Sequence, residues 1–173
     1  MKAKPMVVVT LAAILTSALG SASAPAEKRG PSTPEERKRA VEVARALEQD
    51  PLNKNLINDR EWALRFVIEV PDIKVSVCTT VMAPVTASKK NHSSELLVIY
   101  ILSSAAHVIE NPQADDAAAN LAGLEGVLRA YEVILKSKPK AHHAHLDEMI
   151  EKRSNDSLGQ HVQEVVSKCK EPQ

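Results

Sequence analysis

The sequence predicts an all-α protein, a single compact bundle of roughly five to seven helices around a central apolar helix at 94–110, with one disulfide. Three observations carry that prediction. Apolar residues recur at helical spacing along most of the chain, proline-containing breaks cut it into helix-length pieces, and no two segments alternate as paired strands would. Two cysteines, Cys78 and Cys169, supply the closure.

The first segment stands apart from the bundle. Lys2 and Lys4 precede an apolar run over 6–19, and small residues follow, with Ala22, Ala24 and Ala26 among them; this is the pattern of a secretory signal peptide over 1–26. Cleavage after Ala26 keeps Pro25 away from the scissile bond, which a cut after Ala24 does not. Roughly 147 residues would remain, enough for one core. The expected compartment is periplasmic or extracellular, with no membrane span in the remaining chain, because the fourteen uncharged residues of the apolar helix are fewer than the ~20 a bilayer needs.

Residues 27–33 read as a flexible leader and 34–173 as one helical domain. Thr33-Pro34-Glu35-Glu36 forms a capping box with proline at the first helical position, so a helix starts there and runs, with Ala40, Val41, Ala44 and Leu47 on one face, to Asp50-Pro51. A second helix is expected over 59–70, with Glu61, Arg65 and Glu69 as a charged ridge. Trp62 and Phe66, four apart, read as a core anchor. In 73–78 Ile73, Val75 and Val77 alternate like a strand, yet a lone strand leaves its backbone groups unpaired, so 73–83 is expected to be helical or irregular. Ala83-Pro84 and the polar 88–92 then read as a loop.

From Ser93 or Ser94 to Glu110 no charge intervenes after Glu95, which places this helix at the centre. Asp115 or Asp116 starts a long helix that Pro139 stops. Along it Ala119, Gly123, Gly126 and Ala130 make a ridge of small residues, whose natural partner is Ser103-Ser104-Ala105-Ala106 on the central helix. Two last helices are expected over 140–152 and 156–168.

Composition excludes several functions. Twenty-two basic residues balance twenty-two acidic ones, which is no footprint for nucleic acid, and four aromatic residues are too few for a stacking platform. The cluster Lys136, Lys138, Lys140 complements a helix C-terminus. Glycine-rich phosphate loops and G-x-S-x-G are absent, so no enzymatic role is indicated. Cys78 has no neighbouring histidine or cation to make it reactive; in an oxidising compartment it is expected to pair with Cys169.

The histidines alone have local logic. His142, His143 and His145 follow Pro139 closely, and on a helix His142 would share a face with His145, and His145 with Glu148. That set, with His143 or His161 in addition, is the candidate site for Zn²⁺ or Cu²⁺. H-x-x-E recurs at His107/Glu110, His145/Glu148 and His161/Glu164, where simple helical pairs are expected, and His107 is expected to be a satisfied core histidine. The leading expectation for function is a non-enzymatic exported protein that binds a protein or small ligand in the cell envelope; the alternative is metal binding through 142–148.

Overall fold

In a computed structural model, the structure describes residues 29–169; the segment 1–26, expected to be a signal peptide, lies outside them. Seven α-helices follow in order: α1 (Pro34–Gln49), α2 (Ile57–Glu69), α3 (Thr79–Thr86), α4 (Ser93–Glu110), α5 (Asp116–Ser137), α6 (Ala144–Ser154) and α7 (Leu158–Cys169). Among the described residues there is no strand. The capping box of α1 is formed, with Thr33 accepting from the Glu36 N–H and Glu36 accepting from the Thr33 N–H. A 3₁₀ turn, Lys54–Leu56, leads into α2.

Helix α4 is the axis. Leu96, Ile99, Tyr100 and Leu102 are buried, and α1, α2, α3 and α5 all pack against it. Its closest partner is α5, and the expected ridge is where they meet: a Cβ on Gly123 would stand 2.8 Å from the Tyr100 carbonyl oxygen, and one on Gly126 2.6 Å from Ser103 Cβ. Only hydrogen at these two positions lets the helices approach so closely.

A charged group sits in that same seam. Glu48 is buried, accepting from Ser103 Oγ at 2.7 Å and Arg45 at 2.8 Å through Oε1, and from Arg129 Nε at 3.0 Å through Oε2. Its place follows from helical spacing, since 40, 44 and 48 share the face of α1 that the core takes. The carboxylate survives burial because each oxygen meets a cation.

The alternating segment 73–78 is irregular, neither helix nor strand, and α3 begins only at Thr79. Asn120 of α5 serves it: Oδ1 accepts from the Cys78 N–H at 2.8 Å, and Nδ2 donates to the Ser76 carbonyl at 2.7 Å. Tyr100 OH donates to the same Oδ1. Pro84 lies inside α3, not in the loop expected there; it faces solvent on a two-turn helix, where the Thr80 carbonyl that loses its donor can bind water.

Other boundaries need correction. Residues 29–33, expected to be a flexible leader, are held down: Ser32 gives its N–H and Oγ–H to Asp72 at 2.8 and 2.7 Å, and the Arg29 guanidinium lies 5.1 Å from the Phe66 ring centre. The Ser32 N–H holds the Asp72 carboxyl below its ordinary pKa, with the Ser32 hydroxyl next in effect. Trp62 stacks on Phe66 with ring centres 5.3 Å apart, and the Arg39 guanidinium covers Trp62 at 4.0 Å, which agrees with the anchor reading. Ile68 on α2 stays exposed.

Candidate ligand cavity

Cys78 and Cys169 stand at disulfide distance, Cα atoms 5.9 Å apart, and so tie the end of α7 to the start of α3. Between α3, α6 and α7, beside that tie, lies a cavity of about 150 Å³. Val81, Met149, Val162 and Val165 make it apolar, Thr80 stands at its edge, and His145 and His161 supply two imidazoles. Thr80 Oγ1 lies 3.5 Å from Cys169 Sγ, which places the sulfurs next to the opening.

The helix that carries His145 starts later than expected. α6 begins at Ala144, after a turn in which the Ala141 N–H donates to the Lys138 carbonyl at 2.9 Å. His142 therefore precedes the helix and cannot share a face with His145. Its ring is exposed, with Nδ1 3.4 Å from Asp147 Oδ2. His143 is the N-cap residue and is buried; its backbone N–H donates to Tyr131 OH at 2.9 Å, and Nε2 contacts the Asn91 carbonyl at 2.9 Å. Asn91 and His92 adopt left-handed backbone conformations, φ 53° and 66°, and Asn91 Nδ2 also donates to the His142 carbonyl at 2.9 Å. The α3–α4 loop thus grips the α5–α6 turn, and His143 is part of that grip.

His145 points elsewhere again. Its Nε2 meets the Val81 carbonyl at 3.1 Å, so this nitrogen carries the proton and Nδ1 keeps a lone pair. Burial lowers its pKa; the Val81 contact and Glu148 oppose that shift, while His161 and His143 add to it. Glu148 is exposed and pairs with Lys152 at 3.5 Å. The set His142, His145, Glu148 is therefore not assembled, and among the described residues no three His, Cys, Asp or Glu side chains gather as a metal centre.

Of the H-x-x-E pairs, His145 and Glu148 interact electrostatically, and all three carboxylates make polar contacts with other side chains. Glu110 takes Arg45 at 2.8 Å, Glu148 takes Lys152, and Glu164 takes Gln160 Nε2 at 2.9 Å. Longer polar side chains reach these carboxylates at i−4, i+4 or across helices more readily than an imidazole at i−3. His107, expected in the core, lies half-exposed near the end of α4 with Nδ1 3.5 Å from Asn111 Nδ2. Helix α4 runs outward there, and its last turn leaves the centre.

His142, Asp147 and Tyr131 line up in a chain that superficially suggests acid–base work, since Tyr131 OH donates to Asp147 Oδ1 at 2.7 Å. Tyr131 is wholly buried, and burial pushes its phenol up to about 12. The phenol already bridges the His143 N–H and the Asp147 carboxylate, so its work is to hold α6 on α5.

Fold and cavity together define a disulfide-tied seven-helix bundle with one small, mostly apolar hollow flanked by two imidazoles. Compared with protein-family models, with curated proteins and with solved structures, the chain matches none. The sequence groups His145 with His142 and Glu148 and gives His161 only as an addition; the structure brings His161 and Met149 to one cavity with His145. His145 and Met149 are i and i+4 on α6, a relation visible in the sequence; that His161 faces them follows only from the packing of α7.

Proposed function

We propose that this chain is an exported, non-enzymatic binding protein that holds a small ligand in the cavity between α3, α6 and α7. The observation that carries the reading is the cavity itself: about 150 Å³, valine and methionine walls, and two imidazoles for orientation. A preformed apolar hollow of this size accommodates a molecule as large as benzene. A small ligand is favoured over a protein partner, because Ile57 and Ile68 are the large exposed apolar side chains among the described residues, and two such side chains fall short of an extended apolar patch. Export is supported by the apolar leader in the sequence and by the paired cysteines.

The test is a benzene titration of isotopically labelled protein followed by methyl NMR. Shifts centred on Val81, Met149, Val162 and Val165 are expected, and Val162→Phe, which fills the cavity, should abolish them. Unmoved methyls would sink the reading. For export, expression of the full chain in an exporting host should yield a periplasmic product beginning at Glu27 or Pro25; a full-length cytosolic product would contradict it.

A further inference from the structure

We propose that the ligand is Cu(I), bound in the α3–α6–α7 cavity by the imidazoles of His145 and His161 and the thioether of Met149. The inference rests on the reading of this cavity as a ligand site and adds the chemistry of the ligand. All three side chains line it, His145 and Met149 from one face of α6 and His161 from α7 opposite.

The donor set chooses the ion. A buried thioether is a soft ligand that contributes little to Zn²⁺ and nothing useful to Ca²⁺ or Mg²⁺, whereas Cu(I) accepts thioether and imidazole together. Carboxylate is missing from the lining, and the two cysteines are paired with each other, so no thiolate competes for the ion. Zn²⁺ would need four firm ligands from Cys, His, Asp or Glu, and such a group is not gathered here among the described residues.

Orientation supports the same assignment. The His145 Nε2–H is given to the Val81 carbonyl at 3.1 Å. Metal-binding histidines commonly donate their second nitrogen to a backbone carbonyl in this way, which fixes the tautomer and leaves the other nitrogen as ligand. The His161 ring lines the same cavity and lies near enough to His145 to act on it electrostatically. The apolar walls would keep water from a coordinated Cu(I) and slow its oxidation.

The experiment is an anaerobic competition in ascorbate, which leaves the disulfide intact, between the full exported chain and bicinchoninate-bound Cu(I). The wild type should withdraw one equivalent. Met149→Leu, which conserves volume, and His161→Gln, at a half-exposed position, should each weaken binding on the order of tenfold or more, with His142→Ala unchanged. Far-UV circular dichroism shows that each variant is folded, and copper X-ray absorption should show a sulfur scatterer that Met149→Leu removes. No withdrawal of Cu(I), or equal binding by both variants, overturns the assignment. Benzene binding separates the two readings: a protein that takes benzene but not Cu(I) keeps the cavity and loses the copper, and one that takes neither loses both.

Discussion

The side-chain amide of Asn120 does for Cys78 what a neighbouring strand would do, accepting its N–H at 2.8 Å while donating to the Ser76 carbonyl two residues back. An irregular segment can therefore lie against an all-helical core with the Cys78 N–H and the Ser76 carbonyl satisfied. The same amide takes the Tyr100 hydroxyl and donates to the Asp116 carbonyl at 2.6 Å, so one side chain joins α4, α5 and the segment leading to α3.

Asn120→Leu should destabilise the protein by about 2–4 kcal/mol, because it strands a buried N–H, a carbonyl and a phenol at once. Urea denaturation gives the magnitude. Hydrogen exchange at Cys78 should rise with it, and slow exchange there in the variant would contradict the role given to Asn120.

Glycine substitutions should differ in sign along the chain. Gly126→Ala places a methyl 2.6 Å from Ser103 Cβ and 2.9 Å from Glu48 Oε1, so overpacking of about 1–3 kcal/mol outweighs the ~1 kcal/mol gain in helix propensity. Gly159→Ala, on α7, meets only Leu121 Cδ2 at an ordinary 3.7 Å and should stabilise by about 0.5–1 kcal/mol. Thermal midpoints of the two variants should move in opposite directions.

Breaking the Glu48 cluster should cost more from the arginine side. Glu48 has 5% of its side chain exposed against 36% for Arg45 and 44% for Arg129. When Glu48→Met removes the acid, both guanidinium groups can turn to water. When Arg45 and Arg129 are both replaced by Met, the carboxylate is left buried with only Ser103, and a loss of about 3–5 kcal/mol is expected. Equal losses in the two variants would show that Glu48 is wetter than its position implies.

The contact between Ser32 and Asp72 should depend on pH. The Ser32 N–H lowers the Asp72 pKa in the folded protein, so the contribution is complete above the ordinary carboxylate pKa and is lost as pH falls through the lowered one. Exchange of the Ser32 amide, corrected for intrinsic rate, should accelerate over that acid range. Asp72→Asn should remove the dependence.

Mass measurement of the intact protein, made in an oxidising compartment, should find it two hydrogens lighter than after reduction. The bond closes a span of 91 residues, so Cys169→Ser should cost up to about 4–5 kcal/mol on the chain-entropy view. It should also free the end of α7 beside the cavity, which hydrogen exchange over 158–169 would show. Two free thiols in protein made in that compartment would refute the pairing.

Local chemistry by itself determined the helices. The capping box at Thr33, the prolines near helix ends and the uncharged run to Glu110 depend on neighbours a few residues away, which is why α1, α4 and α5 were legible in sequence, and why even the meeting of Gly123 and Gly126 with Ser103 and Ser104 could be anticipated. Tertiary structure alone decided where the polar groups go. Glu48 lies on the buried face by its spacing, but its need for Arg129, 81 residues away, is a fact of packing. The three clustered histidines diverge to solvent, Asn91 and Val81 because α6 starts only at Ala144, held by a tyrosine on another helix. Short-range spacing predicts which residues share a helix face; which face meets which depends on how all seven helices exclude water together, and the cavity of His145, Met149 and His161 exists only at that level.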